Sequence, residues 1–89
     1  MRIKIDKADK KEIEEKGILD WPIWEKEISE FSWHYDSREI CYLLEGKVEI
    51  TVGSGEVFKF GKGDLVIFPK GLSCKWKIIS PVRKHYKFE

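Results

Sequence analysis

From Trp24 to Phe88 apolar and polar residues alternate in short runs, broken at close intervals by Gly, Pro, Asp and Ser. A period of two is the mark of a half-buried strand, and the breaking residues supply turn dihedrals. The pattern predicts strands near residues 24–28, 31–35, 39–44, 47–52, 56–60, 65–68, 72–79 and 82–88. Between them lie turns at Asp36-Ser37-Arg38, Gly53-Ser54-Gly55, Gly61-Lys62-Gly63-Asp64 and Pro69-Lys70-Gly71. Ahead of this series, residues 3–5 predict a short edge strand. Asp9 with Glu12 three positions on has capping-box character, and Gly17 closes a helix of about two turns. Many short strands with Gly-bearing turns and one short helix predict an all-β sandwich or barrel.

Alternation also assigns faces. In 72–78, Leu72, Cys74, Trp76 and Ile78 share one side, and Ser73, Lys75 and Lys77 the other. In the last strand Val82, Lys84, Tyr86 and Phe88 lie together, opposite Arg83, His85 and Lys87. Lys84 is the odd member of an apolar face, and a lysine buried there requires an acidic or hydrogen-bonding partner. Arg83 and His85, sharing a side with Lys87, are expected at the surface. In 31–35 the apolar side is Phe31, Trp33 and Tyr35, which local alternation alone would turn inward.

Composition narrows the picture. The 89 residues leave room for one domain, read as an N-terminal arm and helix over about 1–19 and a barrel over about 20–89. With 42% hydrophobic and 13% aromatic residues, the chain is globular rather than disordered. Charged residues make up 37%, a Lys- and Glu-rich surface of thermophile-like character, yet the net charge is only +1. That balance, with no long basic stripe, argues against a dedicated nucleic-acid binder. Trp21, Trp24, Trp33 and Trp76, interleaved with Lys75, Lys77, Lys84 and Lys87, sketch a single-strand stacking platform, but the balanced charge argues against it. No apolar run reaches the length of a membrane span and the N-terminus lacks a signal-peptide core, so a cytoplasmic protein without membrane contact is expected. Cys41 and Cys74 have no CxxC spacing and are read as free thiols.

Two spaced motifs carry the chemistry. His34 is followed after four residues by Glu39 and after six more by Gly46; Gly63 is followed after five by Pro69-Lys70-Gly71 and after two more by Cys74. Together these resemble the two halves of the cupin signature. The stretches Trp24-Glu25, Phe31 to Asp36, Glu39 to Gly46, Gly63 to Val66 and Pro81 to Tyr86 look like single-domain cupins related to ureidoglycine aminohydrolase, over roughly residues 20–88. The resemblance implies a cupin (jelly-roll, RmlC-like) β-barrel with a short N-terminal helix. Metal-binding cupins carry His at the positions of Ser32, His34 and Cys74, and Glu at Glu39. The related enzymes release ammonia from ureidoglycine with manganese, and they carry two cupin domains where this chain has one.

The register implied by the resemblance turns Ser32, His34, Glu39, Cys41 and Leu43 into the barrel. A tentative metal site of His34, Glu39 and Cys74 follows, three ligands that would leave one position open on zinc, iron, nickel, copper or manganese. Ser32, Trp76, Lys84 and Tyr86 are the expected substrate-binding residues, and Lys84, Tyr86 and Cys74 the candidate catalytic ones. A Cys74–His34 nucleophilic pair is a further arrangement, in which the thiol would ionise below its ordinary range. Cys41 reads as a small buried hydrophobe. The leading expectation is a small-molecule-binding cupin with metal-assisted activity on a small, polar, nitrogen-containing metabolite. The alternative is a non-catalytic, metal-free metabolite-binding or sensing module. The same register leaves Phe31, Trp33, Tyr35, Ile40, Tyr42 and Leu44 on the outside, a patch large enough to predict a homodimer unless the Trp21–Trp24 segment covers it.

Overall fold

The computed structural model describes residues 2–89 and is built almost wholly of antiparallel strands. Strand β1 (Lys4–Lys7) pairs with β6 (Asp64–Phe68) at one edge. Helix α1 (Lys10–Lys16) begins where the Asp9 side chain accepts the Glu12 amide at 2.7 Å and ends at Gly17 with φ 63°, the start and stop read from sequence. A 3-10 turn (Ile18–Asp20) leads into β2 (Ile23–Lys26) and β3 (Ser29–His34). The remaining strands are β4 (Glu39–Val52), β5 (Val57–Gly61) and β7 (Ser73–Phe88).

Two pairs of predicted strands are single long ones. β4 spans both 39–44 and 47–52, and β7, beginning at Ser73, takes in 73–79 and 82–88. They pair along their whole length, from Glu39↔Phe88 to Val52↔Cys74, with register shifts between Leu43 and Val48. Gly46 stands at this irregularity with φ 112°, and a Cβ there would lie 2.7 Å from the Pro81 carbonyl oxygen. Pro81, which has no N–H to offer a ladder, sits opposite the same interruption. Below the bend β4 and β7 pair with β6 and β2; above it they pair with β5 and β3. The sheet thus folds over itself around one core, to which Cys41, Leu43, Val66, Phe68 and Val82 come from one half and Val48, Ile50, Phe60, Trp76 and Ile78 from the other. The irregularity also resets the alternation: Cys41 and Leu43 face inward before it, Val48 and Ile50 after it.

β3 corrects the register implied by the motif. Phe31 and Trp33 turn toward the interior, followed by Tyr35, while Ser32 and His34 are exposed on the outer face. Tyr35 is fully buried, stacked on Phe68 with centroids 4.7 Å apart. Burying a large side chain contributes about 1.5–3 kcal/mol, whereas Ser and His bring polar atoms that would need partners inside. Local alternation therefore wins over motif spacing.

The expected outer patch is accordingly divided. Ile40 and Tyr42 do face outward, but they pack with Leu65, Ile67, Ala8, Ile13, Ile18 and Trp21 in a second cluster beneath the N-terminal helix and turn. The side chains on which the homodimer expectation rested do not form one surface. His85, expected at the surface, is buried in the same region with Nδ1 2.9 Å from the Trp21 carbonyl oxygen; Arg83 is exposed. Among the described residues no helix is long and apolar enough to cross a membrane.

Candidate functional site

Between the bent strands lies a half-open cavity of about 230 Å³. β7 supplies its longest wall, because Trp76, Lys84, Tyr86 and Phe88 keep one parity along the strand. β3 and the residue following it add Phe31, Trp33 and Tyr35. β2 adds Trp24, brought over Lys84 by direct cross-strand pairing, and β4 adds Glu39. Seven of these nine residues are aromatic. Phe31 stacks on Trp76 at 5.9 Å with planes 9° apart, and Trp24 meets both edge-on at 6.4 and 5.9 Å. Trp33 and Phe88, each 49% exposed, are the open members of the wall.

The polar element is one ion pair. Lys84 Nζ donates to Glu39 Oε2 at 2.8 Å, with side chains only 5% and 4% exposed. The ammonium lies 4.9 Å from the Trp24 ring and 4.8 Å from the Trp76 ring, so two indole faces and a carboxylate surround it. This is the acidic partner that the apolar setting of Lys84 demands. Nearby, burial drives the Tyr35 hydroxyl far above the ordinary phenol range and the negative Glu39 adds to the effect, so the phenol keeps its proton. The Trp76 indole acts on it in the opposite direction. Even so, Trp76 Nε1 completes no hydrogen bond and is, among the described residues, the buried side-chain polar atom without a partner.

The predicted site residues separate into two places. Glu39, Trp76, Lys84 and Tyr86 line the cavity. Ser32, His34 and Cys74 border a shallow open groove at the far end of β3 and β7, beside Thr51, Val52 and Gly53. There His34 Nδ1 lies 2.7 Å from Ser73 Oγ, and Nε2 lies 3.6 Å from the exposed Asp36. His34 and Cys74 belong to opposite faces of their strands, since Trp33 pairs with Cys74 and His34 with Ser73. Hence His34, Glu39 and Cys74 do not converge, and among the described residues no three His, Cys, Asp or Glu side chains form a group fit to hold a metal ion. Nor is either thiol activated. Burial pushes Cys74 up to about 11, with the Glu39 charge adding to it. Burial likewise raises Cys41 to about 12, with Lys84 opposing and Glu39 reinforcing. Both are free cysteines.

Sequence reasoning omitted Trp24, Phe31, Trp33, Tyr35 and Phe88 from the wall. The alternation in 31–35 and the parity of Phe88 with Tyr86 were available signals; Trp24 is identified only by the pairing of β2 with β7.

A family model described as the EutQ-like cupin domain matches residues 13–86. The chain belongs to the EutQ-like cupin family. A DUF861 family protein from Thermotoga maritima is 53% identical with a TM-score of 0.97, the match covering 99% of this chain and 100% of that one. The EutQ protein of Clostridium difficile is 24% identical with a TM-score of 0.68, over 74% of this chain and 52% of that one. A putative ethanolamine utilization protein Q from Salmonella typhimurium is 27% identical with a TM-score of 0.67, over 74% and 53%. This EutQ-like cupin therefore spans about half the length of those two EutQ proteins. No curated protein matches the chain. The all-β cupin fold expected from the two motifs holds, although the register inside β3 does not follow them.

Proposed function

We propose that this cupin is a metabolite-binding or sensing module whose small-molecule ligand occupies the aromatic cavity, without a metal ion. The observation that carries the reading is a concave site of about 230 Å³ walled by seven aromatic side chains, with one buried, paired ammonium among them. A mostly apolar pocket with few polar groups is the usual form of a small-molecule site, and this one is below the ~300–1,000 Å³ typical of drug-sized ligands. The ligand is correspondingly small. Metal-assisted chemistry on a nitrogen-containing metabolite, the activity implied by the ureidoglycine aminohydrolase resemblance, draws no support from the dispersed donor set. Nucleophilic chemistry draws none from thiols whose ionisation burial opposes.

The test is a titration with toluene, followed by NMR on the four indole N–H signals. The Trp24, Trp33 and Trp76 signals should shift, while Trp21, packed in the second cluster outside the cavity, should stay in place. Equal movement of all four, or of none at millimolar toluene, would overturn the reading.

A further inference from the structure

We infer that the ligand is a neutral planar amide, an aryl amide or a lactam, whose carbonyl oxygen accepts from Lys84 and whose N–H donates to Glu39; this rests on the cavity being a ligand site. Three observations lead there.

The first is charge. Lys84 and Glu39, 2.8 Å apart and each at most 5% exposed, cancel one another. A charged ligand would leave one unit of charge uncompensated among aromatic walls, where an unpaired charge is costly. A cation would face Lys84, and the indole faces best suited to hold it, those of Trp24 and Trp76, already flank the lysine ammonium. An anion would meet Glu39 and the electron-rich faces of the rings. Neutral ligands incur neither cost.

The second is the hydrogen-bond inventory. An ammonium carries three donors, and Lys84 gives one to Glu39. Trp76 Nε1, on another wall residue, is directed to the Tyr35 hydroxyl without completing a hydrogen bond. A carboxylate offers about four acceptor sites, of which Lys84 takes one. Spare donors and spare acceptors therefore stand side by side. Ketones would answer only the donors, and alkyl amines, cationic at neutral pH, only the acceptor. An amide presents both, on the oxygen and the nitrogen bonded to one carbonyl carbon, in a single plane.

The third is shape. A dry apolar cavity of about 150 Å³ suffices for benzene. The cavity here, about 230 Å³, allows a ring with one small substituent, and the stacked Phe31–Trp76 pair offers flat surfaces for it.

The experiment compares four probes of nearly one shape at pH 7: toluene, benzamide, benzoate and benzylammonium. Each is titrated by calorimetry and by the indole N–H signals, on the wild type and on the Glu39→Leu/Lys84→Met double variant. Benzamide should bind the wild type on the order of tenfold tighter than the other three, as one or two satisfied hydrogen bonds allow. In the double variant its advantage over toluene should vanish while toluene still binds. Benzoate or benzylammonium binding tightest, or toluene matching benzamide on the wild type, would overturn the amide assignment and leave the cavity reading intact. Silence from all four probes at Trp24 and Trp76 would overturn the cavity reading itself. Should the double variant fail to fold, the ranking of the four probes on the wild type decides the matter alone.

Discussion

Replacing Lys84 by methionine removes an ammonium while leaving an unbranched stem between Trp24 and Trp76. What remains is Glu39, 4% exposed, whose partner at 2.8 Å is gone. Breaking a buried pair by deleting one member costs about 3–5 kcal/mol, because the surviving charge is neither solvated nor compensated. Small domains are stable by only about 5–15 kcal/mol, and each kcal/mol moves the melting temperature of a domain this size by roughly 4–8 °C. Lys84→Met should therefore melt roughly 12–40 °C below the wild type. Glu39→Leu/Lys84→Met removes both charges and keeps apolar volume, so it should recover most of that loss, since replacing a whole buried pair by hydrophobic groups is often neutral. Thermal and urea unfolding of the wild type, both single variants and the double variant complete the cycle. The reasoning fails if Lys84→Met melts within a few degrees of the wild type, or if the double variant is as unstable as the sum of the singles.

Burial raises the thiols of Cys74 to about 11 and of Cys41 to about 12 from an ordinary value of 9.0. Between the unfolded and folded values the unfolded chain binds fewer protons, so their contribution to stability is complete below about pH 9 and declines as pH rises toward 11–12. Cys41→Ala/Cys74→Ala should flatten that alkaline decline in urea unfolding measured from pH 8 to 11, and an unchanged slope would count against it. Gly46→Ala puts a side chain at φ 112° and 2.7 Å from the Pro81 carbonyl oxygen, so it should cost more than the ~1–3 kcal/mol of strained backbone alone; a loss under 1 kcal/mol by chemical denaturation would show the bend to be compliant. Ser32→Ala and His34→Ala lie outside the cavity and should leave toluene binding within about twofold of wild type. Asp9→Ala deletes the cap on the Glu12 amide and should cost about 1 kcal/mol, read from the urea midpoint.

Local rules were sufficient wherever the deciding partners were close in sequence. Asp9, Glu12 and Gly17 bound the helix because capping is settled within one turn, and the turn residues separate the strands for the same reason. Strict alternation gave the inward parity of Cys74, Trp76, Ile78, Val82 and Lys84, and it required a polar partner for Lys84 without naming one. The identity of that partner, Glu39, is 45 residues away and depends on the pairing of β4 with β7. Motif spacing placed the fold but misdirected the site. In β3 it favoured Ser32 and His34 for the interior, whereas burial of Tyr35 just beyond the strand, with Phe31 and Trp33 on the cavity wall, sets it the other way round and sends His34 to Ser73 on the outer face.

The amino-acid sequence by itself determined an all-β barrel, the helix limits, most strand positions and a lysine in need of a counter-ion, all set by periodicity and turn chemistry. Only the tertiary structure decided between alternation and motif spacing for the inward face of β3, and that four predicted strands are two. It also decided that Ile40 and Tyr42 lie under the N-terminal helix and that Trp24 crosses over Lys84. The physical reason is that each of these depends on what packs against a face, and a one-residue change of register exchanges both faces of a strand at once.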